Sequence, residues 1–341
     1  MRKVLLTLGT ALCLAVVAAA IYWQHAEAAM RAPGPHQQSI ALAVKPGASI
    51  RSVLADLEAR GALKGRRAVE LQLRVRGWPQ IKTGRYEIPA QASPQEILRQ
   101  LAEGRVVLET LTVIEGWRFA DMRRAVEAHP HIKVTLRGVD IAAVMKAIGH
   151  EGEHPEGRFF PDTYRFAAGT TDRELLALAY RKMAEALDTA WASRSAALPL
   201  ASAYEALTLA SIVEKETGLA SERPRIAGVF ITRMRRNMRL QTDPTVIYGI
   251  GSSYDGNIRE RDLRTDTPYN TYTRAGLPPT PIALPSREAI EAVTRPLETG
   301  DIFFVATGIG DGSHVFSATL EAHNAAVARY LARLRGTRTN R

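Results

Sequence analysis

Residues 204–217 have the sequence YEALTLASIVEKET, and Gly218 follows them. The stretch is rich in helix-favouring residues, contains neither proline nor glycine, and is followed by a residue typical of a helix end. We therefore predict a helix over 204–217. An apolar stripe with the helical spacing i, i+3, i+4 and i+7 runs along it, formed by Leu209, Ile212, Val213 and Glu216.

Two glutamates near the end of this helix are predicted to differ in environment. Glu214 lies roughly 200° around the helix from Glu216, at about 100° per residue, and is expected to face solvent. Glu216 is expected to face the protein, where burial would raise its pKa toward the range of a general acid. In the alternative, the last turn emerges into solvent and Glu216 is an exposed helix end. Periodicity leaves both alternatives open.

The composition limits the class of partner. The chain has 341 residues, enough for two domains or for one large domain plus an anchor. It carries 45 Lys and Arg against 35 Asp and Glu, a formal net charge of +10 that suits anionic lipid, an acidic polymer or nucleic acid. The basic residues are scattered and do not alternate with aromatics, which disfavours nucleic acid.

Cysteine and histidine usage argues against a metal site. Cys13 is the only cysteine, so the chain can form neither an intramolecular disulfide nor a cysteine-based zinc site. The eight histidines are dispersed, without an HExxH pair. We predict neither a metal nor a cofactor.

The amino terminus predicts a membrane anchor. A basic start, MRK, precedes an uncharged run over 4–23, long enough to cross a bilayer core of roughly 30 Å. The charge of the start places the amino terminus in the cytoplasm and the bulk of the chain in the periplasm. The sequence AEA at 26–28 also resembles a signal-peptidase site, but signal-peptide apolar runs are usually about 7 to 15 residues, which favours a retained anchor.

We predict five segments along the chain: a start and anchor over 1–28, a linker over 29–39, a small α/β module over 40–106, a larger mixed α+β domain over 107–336, and a tail over 337–341. In the module, strands are predicted at 40–44 and 84–88 and helices at 49–60, 68–76 and 93–103, with Ser49 and Ser93 as N-caps.

The larger domain is predicted to be mainly helical. A strand over 108–114 precedes helices near 120–129, 139–148, 171–192, 204–217, 224–234, 286–294 and 320–334, with another in the apolar part of 239–249. Segments 301–306 and 314–317 flank a glycine-rich turn and predict a hairpin. The proline-rich segments 268–273 and 276–285 predict long ordered loops. The aromatic segment 159–166 could line a sugar-binding pocket or plug the core.

Several short motifs in the chain resemble those of a known protein family. The chain resembles the YceG-like (MltG) family of endolytic murein transglycosylases in the order and spacing of these motifs: EG at 115–116, FPDT at 160–163, ASIVEKET at 210–217, SER at 221–223, RLQTDPTVIYG at 239–249, YNTY at 269–272, GLPP at 276–279 and HN at 323–324.

The resemblance implies cleavage of the β-1,4 bond between MurNAc and GlcNAc within glycan strands, without water, leaving a 1,6-anhydro-MurNAc end. It implies that Glu216, the second glutamate of EKE, is the catalytic acid and base, and that the module over 40–106 is LysM-like. It also implies an inner-membrane location, peptidoglycan glycan strands as substrate, and association with penicillin-binding synthases.

Substrate-binding candidates come from the loops near this glutamate, and each has a structural alternative. Gln241, Tyr269, Asn270 and Tyr272 could bind sugar hydroxyl or N-acetyl groups, or could satisfy the loop backbone. Asp243 could instead cap the helix begun by Pro244, and Ser221 and Glu222 could cap the helix after them. Lys215 is expected to be solvated, and the sequence identifies no charged partner for His314 or His323.

Two other functions stay open at this stage. An ordinary muramidase would use water and a second carboxylate at about 5 to 9.5 Å, for which Asp243 and Asp162 are the candidates. A non-catalytic peptidoglycan-binding scaffold would fit the small module and the basic charge.

Overall fold

The computed structural model describes the backbone of residues 2–339 and the side chains of residues 8–335. The described chain forms two compact units. The first contains the residues up to Glu109 and Arg165–Gly169, and the second contains Thr110–Tyr164 and the residues from Thr170 onwards. Helices and small two-stranded sheets occur in the same chain, so the predicted mixed α+β class is confirmed. Of the predicted tail over 337–341, the last two residues lie outside the described part.

The first unit begins with the long helix α1 (Arg2–Arg31), which contains the apolar run. The part of α1 from Leu8 onwards is long and apolar enough to cross a membrane. Residues 29–31, expected in a linker, form its last turn, and the side chains of Ala26 and Met30 are buried. The other elements are β1 (Ile40–Val44), α2 (Ile50–Ala59), α3 (Arg66–Arg76), β2 (Gly84–Ile88) and α4 (Pro94–Glu103).

Local signals account for the elements of the first unit. Strands β1 and β2 pair antiparallel from Ile40 opposite Ile88 to Val44 opposite Gly84, and their alternating apolar side chains enter one core. Ser49 accepts from the backbone of Ser52 at 3.2 Å and caps α2. Ser93 forms a capping box at the start of α4. Both predicted caps are confirmed.

The second unit is mainly helical. It contains α5 (Phe119–Ala128), α6 (Ile141–Ala147), α7 (Asp172–Ala192), α8 (Ala203–Glu216), α9 (Arg223–Arg235), α10 (Asp243–Ile250), α11 (Glu260–Arg264), α12 (Arg287–Thr294), the antiparallel hairpin β5 (Phe303–Ala306) and β6 (His314–Ser317), and α13 (Leu320–Thr339). A third strand pair is formed by β3 (Leu108–Thr112) and β4 (Thr163–Ala167). Strand β4 was not predicted.

Helix α8 lies at the centre of the second unit. It contacts α7, α9, α10 and α12. Every residue of α8 from Ala206 to Val213 is buried, and the core around it includes Phe230 of α9 and Ile290 of α12. The helix begins at an N-cap, Ser202, whose hydroxyl accepts from the backbone of Glu205 at 3.2 Å. The predicted helix over 204–217 is confirmed to within one residue at each end.

Candidate active site

Glu216 is the last residue of α8, and it is partly exposed at the end of this otherwise buried helix. Its carboxylate accepts a hydrogen bond from the hydroxyl of Thr242. The pKa of Glu216 is raised to about 7, mainly by burial; the hydrogen bond from Thr242 lowers it, the negative charge of Asp243 raises it, and the positive charge of Arg233 lowers it. Near neutral pH this side chain can therefore both give and accept a proton.

A sharp turn before α10 places Thr242 and Asp243 beside Glu216. Gln241 has a left-handed backbone with φ of 50°, which is uncommon for a residue with a side chain. The turn is fixed by Thr271, whose carbonyl accepts from the Gln241 N–H at 3.2 Å and whose hydroxyl accepts from the Thr242 N–H at 3.1 Å. Thr242 is buried and directed at Glu216, whereas the side chains of Gln241 and Asp243 are exposed.

Asp243 is the first residue of α10, and the N-cap position belongs to Thr242. The expectation that Asp243 caps this helix was wrong, because the helix begins at Asp243 itself and Pro244 takes the second helical position. The Asp243 carboxylate instead accepts from the Tyr272 hydroxyl at 2.6 Å. Burial and this carboxylate raise the pKa of Tyr272, which keeps the phenol protonated as the donor.

Of the loop candidates, Asn270 has a structural role in the free protein. It is 1% exposed, and its side-chain amide donates to the carbonyls of Asp262, Leu263 and Thr265 at 3.2, 3.0 and 2.7 Å. Its side-chain oxygen accepts from the Tyr272 N–H at 2.8 Å. These contacts match the alternative in which the side chain satisfies the loop backbone, and they position Tyr272.

Tyr269 belongs to an aromatic pair that extends from the same loop. Its hydroxyl lies 2.9 Å from the Thr280 hydroxyl, and its ring centroid lies 4.8 Å from that of Tyr248 on α10. The Tyr248 hydroxyl donates at 3.0 Å to Glu156, a buried carboxylate that also accepts from the Phe119 N–H at 2.9 Å. Burial raises the pKa of Glu156.

Ser221 and Glu222 lie at the start of α9, but Ser221 is exposed and is not its cap. The helix begins at Arg223, with Glu222 at the N-cap position, so the predicted capping role of Ser221 was wrong. Pro224, at the second helical position, allows this earlier start. Glu222 binds His314 of β6, accepting from its backbone N–H at 2.9 Å and lying 2.7 Å from its Nδ1. His314 therefore has a charged partner that the sequence did not identify.

Asp162 pairs with a cation of α7. Its carboxylate lies 2.5 Å from Lys182 Nζ and accepts from the Thr163 N–H at 2.7 Å. The Lys182 contact holds the pKa of Asp162 below its usual range. In the adjoining aromatic segment Phe159 is fully buried and stacks on Phe119 at 4.9 Å, as a core residue.

Glu214 contradicts the expectation that it faces solvent. Its side chain is only 6% exposed and lies 3.2 Å from the Arg223 guanidinium. It also accepts from the N–H and hydroxyl of Ser286 at 3.0 and 2.5 Å. Glu214 thus joins α8 to the first residues of α9 and α12. Lys215, by contrast, is exposed as expected, and donates to the Gly116 carbonyl at 3.2 Å.

Sequence reasoning missed Thr242, Arg233 and Glu156. Thr242 lies inside the QTDPT motif, in which only its neighbours Gln241 and Asp243 were predicted to belong to the site. Arg233 is buried in α9, where its guanidinium donates to the carbonyls of Ile302 and Leu240 at 2.6 and 2.5 Å. A buried arginine on the apolar face of a helix is a signal that the α9 sequence already carried.

Comparison with known proteins identifies the family of the chain. A family model described as the YceG-like family matches residues 42–329. The chain belongs to the YceG-like family. A relative named endolytic murein transglycosylase from Bacillus subtilis strain 168 is 28% identical over 305 residues, which cover 84% of each chain.

Two further comparisons agree with this membership. An endolytic murein transglycosylase of Streptococcus pneumoniae D39 is 26% identical over 325 residues, covering 86% of this chain and 58% of that protein. A crystal structure of a YceG-like protein from Listeria monocytogenes is similar with a TM-score of 0.51 and 26% identity, covering 85% of this chain and 99% of that one.

Proposed function

We propose that this chain is an endolytic murein transglycosylase that cleaves the MurNAc-β-1,4-GlcNAc bond within peptidoglycan strands and leaves a 1,6-anhydro-MurNAc end. The observation that carries the proposal is Glu216, a carboxyl at the end of a buried helix with a pKa of about 7. Membership of a family whose matched relatives are named for this activity supports the reaction class.

A single carboxyl suffices for this reaction. Protonated Glu216 gives its proton to the glycosidic oxygen as the bond from that oxygen to C1 of MurNAc breaks. The C6 hydroxyl of the same sugar then bonds to C1, and the Glu216 carboxylate takes the hydroxyl proton. Glu216 ends protonated as it began, and no water is consumed. Thr242 orients the carboxyl, and Asp243, Tyr272 and Gln241 are proposed to bind the sugar.

The experiment is digestion of purified sacculi with the full chain, followed by mass analysis of the products. We expect anhydro-MurNAc ends from the natural chain and none from Glu216→Gln, with an unchanged circular dichroism spectrum. Cleavage retained by Glu216→Gln would refute the role of Glu216. Reducing ends heavier by one water would instead identify a muramidase, for which Asp243 is the adjacent second carboxyl.

The proposal includes location and partners. We place α1 across the inner membrane as a single-pass anchor, with the rest of the chain in the periplasm, because a basic start precedes its apolar run. The module over 40–106 is proposed to be LysM-like and to bind glycan, and the domain over 107–336 to be catalytic. Penicillin-binding synthases are the proposed protein partners, since they make the strands that this reaction would cut.

A further inference from the structure

The first unit packs directly onto the end of α1. Trp23 closes the apolar run and is partly buried, and Ala26 and Met30, one turn apart, are only 2% and 5% exposed. Between them, Glu27 lies 3.3 Å from the guanidinium of Arg76 in α3 and 3.0 Å from that of Arg31. The apolar run therefore continues within the same helix into the folded part of this unit.

Helix geometry gives the depth of this contact. Glu27 follows Trp23 by four residues, a rise of about 6 Å at 1.5 Å per residue. The polar headgroup layer on each side of a bilayer is about 5 to 8 Å thick, since the whole bilayer is roughly 40 to 45 Å and its core roughly 30 Å. With the apolar run of α1 in the core, Glu27 and its partner Arg76 lie at the level of the headgroups.

The end of α3 carries the side chains that suit this level. The residues concerned are Arg74, Val75, Arg76 and Trp78, which we call the α3 tip. Arg74 is exposed, the large apolar side chain of Val75 is 65% exposed, and the Arg76 side chain is 44% exposed. The guanidinium of Arg51 lies 5.2 Å from the Trp78 ring and adds a further cation. Arginine beside exposed apolar and aromatic groups is typical of membrane–water interfaces.

We propose that the α3 tip binds anionic phospholipid headgroups, with Arg74 and Arg76 contacting phosphate and Val75 entering the boundary of the acyl layer. The proposal rests on the proposed insertion of α1. It assigns part of the positive charge of the chain to the membrane surface, where each arginine strengthens attachment to anionic lipid.

The test uses the full chain reconstituted in vesicles of phosphatidylcholine, with or without phosphatidylglycerol. An environment-sensitive fluorophore is attached at Val75→Cys or at Gln37→Cys, each in a Cys13→Ser background. Gln37 is an exposed residue that follows the end of α1. We expect headgroup-nitroxide lipid to quench the probe at position 75 several-fold more than at position 37, and more strongly in the vesicles with phosphatidylglycerol.

A matched pair of charge variants separates binding from general electrostatics. Arg74→Glu should weaken quenching at position 75 several-fold. Arg67→Glu, the same change at an exposed residue about 10 Å back along α3, should leave it unchanged. Equal effects of the two variants, or equal quenching with and without phosphatidylglycerol, would overturn the assignment.

A probe on native Cys13 separates this proposal from that of the anchor. Cys13 lies within the apolar run, so quenching by nitroxide on the acyl chains reports insertion of α1. If Cys13 is quenched but positions 75 and 37 respond alike, the α3 tip does not bind lipid while the anchor stands. If Cys13 is not quenched by acyl-chain nitroxide, both proposals are wrong.

Discussion

Two residues that are adjacent in the chain act on Glu216 in opposite directions. Thr242 donates a hydrogen bond that favours the charged carboxylate, and the charge of Asp243 disfavours it. Their balance, on top of burial, leaves the pKa of Glu216 at about 7. Because proton donation needs the protonated form, activity is expected to fall as pH rises through this value.

We predict that Asp243→Asn and Thr242→Val move this fall in activity in opposite directions. Asp243→Asn removes the repelling charge and lowers the pKa of Glu216, so activity is lost at a lower pH. Thr242→Val removes the donor and raises the pKa, so activity persists to a higher pH. Rates of sacculus digestion measured across the pH range give both shifts.

The control is Asp255→Asn, which removes a carboxylate paired with Arg259 at 2.5 Å on the surface. It should leave the pH dependence unchanged. A shift in the same direction for Asp243→Asn and Thr242→Val would contradict the assignment of Glu216 as the titrating acid.

The same carboxyl should lower stability at high pH. A carboxyl whose pKa is raised by folding stabilises the fold fully below its unfolded pKa of 4.5, and this contribution is lost as pH rises through about 7. Glu216→Gln removes the titration. We predict that the change in the free energy of unfolding caused by Glu216→Gln is more stabilising at pH 8 than at pH 4, by about 2 to 3 kcal/mol.

Denaturant unfolding of both forms at the two pH values measures this difference. Glu260→Gln, at an exposed glutamate of the second unit, is the control and should show no such pH dependence. An equal effect of Glu216→Gln at pH 4 and pH 8 would show that Glu216 has an ordinary pKa.

At the scale of elements, α8 explains why the two glutamates were only half understood from the sequence. The periodicity argument assumes a helix with one buried face, and it placed Glu216 correctly on the apolar stripe. Helix α8 is surrounded by other helices, and its residues from Ala206 to Val213 are buried on every side. A residue opposite the stripe, such as Glu214, is therefore buried as well, and only tertiary packing decides this.

The environment of Glu214 predicts a structural role. It forms a buried ion pair with Arg223 and binds the first turn of α12 through Ser286. We predict that Glu214→Ala lowers the free energy of unfolding by about 3 kcal/mol, because it removes the closer partner of the buried Arg223 guanidinium and leaves only the exposed Glu115 at 3.9 Å. Glu260→Ala breaks an exposed pair with Arg264 and should cost less than about 1 kcal/mol.

Thermal or denaturant unfolding of both variants checks this prediction. A cost for Glu214→Ala as small as that for Glu260→Ala would show that the buried pair contributes little to holding α8, α9 and α12 together.

Element boundaries were predictable where the signal is local. Caps such as Ser49, Ser93 and Ser202 bind backbone atoms three residues away, and the helices they begin were predicted almost to the residue. Strand β4 was missed because its pairing partner, β3, lies some 50 residues earlier and no local pattern identifies it. The contacts of Glu222 with His314 and of Glu156 with Tyr248 join residues 92 apart and were equally invisible.

At the scale of the whole molecule, the described chain has two units with separate apolar cores. Leu57 belongs to the first core and Leu209 to the second, and both are fully buried. We predict that Leu57→Ala and Leu209→Ala each lower the stability of their own unit by about 3 kcal/mol, the usual cost of such a cavity.

Hydrogen exchange resolved along the chain measures the effect. Leu57→Ala should speed exchange of the slowest amides within residues 40–106 alone, and Leu209→Ala those within 171–294 alone. Faster exchange throughout the chain in either variant would show that the units unfold as one.

The continuous path of α1 into the first unit, together with the proposed membrane insertion and glycan binding, limits where this unit would meet glycan. With α1 in the bilayer, the packed side chains of Ala26 and Met30 hold this unit at a fixed distance from the membrane surface. A flexible tether would instead let that distance vary. If the unit binds glycan as proposed, its search for strands is two-dimensional, by lateral diffusion within a thin layer above the membrane. Strands that enter this layer meet the unit often, and those in outer layers of the wall are beyond its reach.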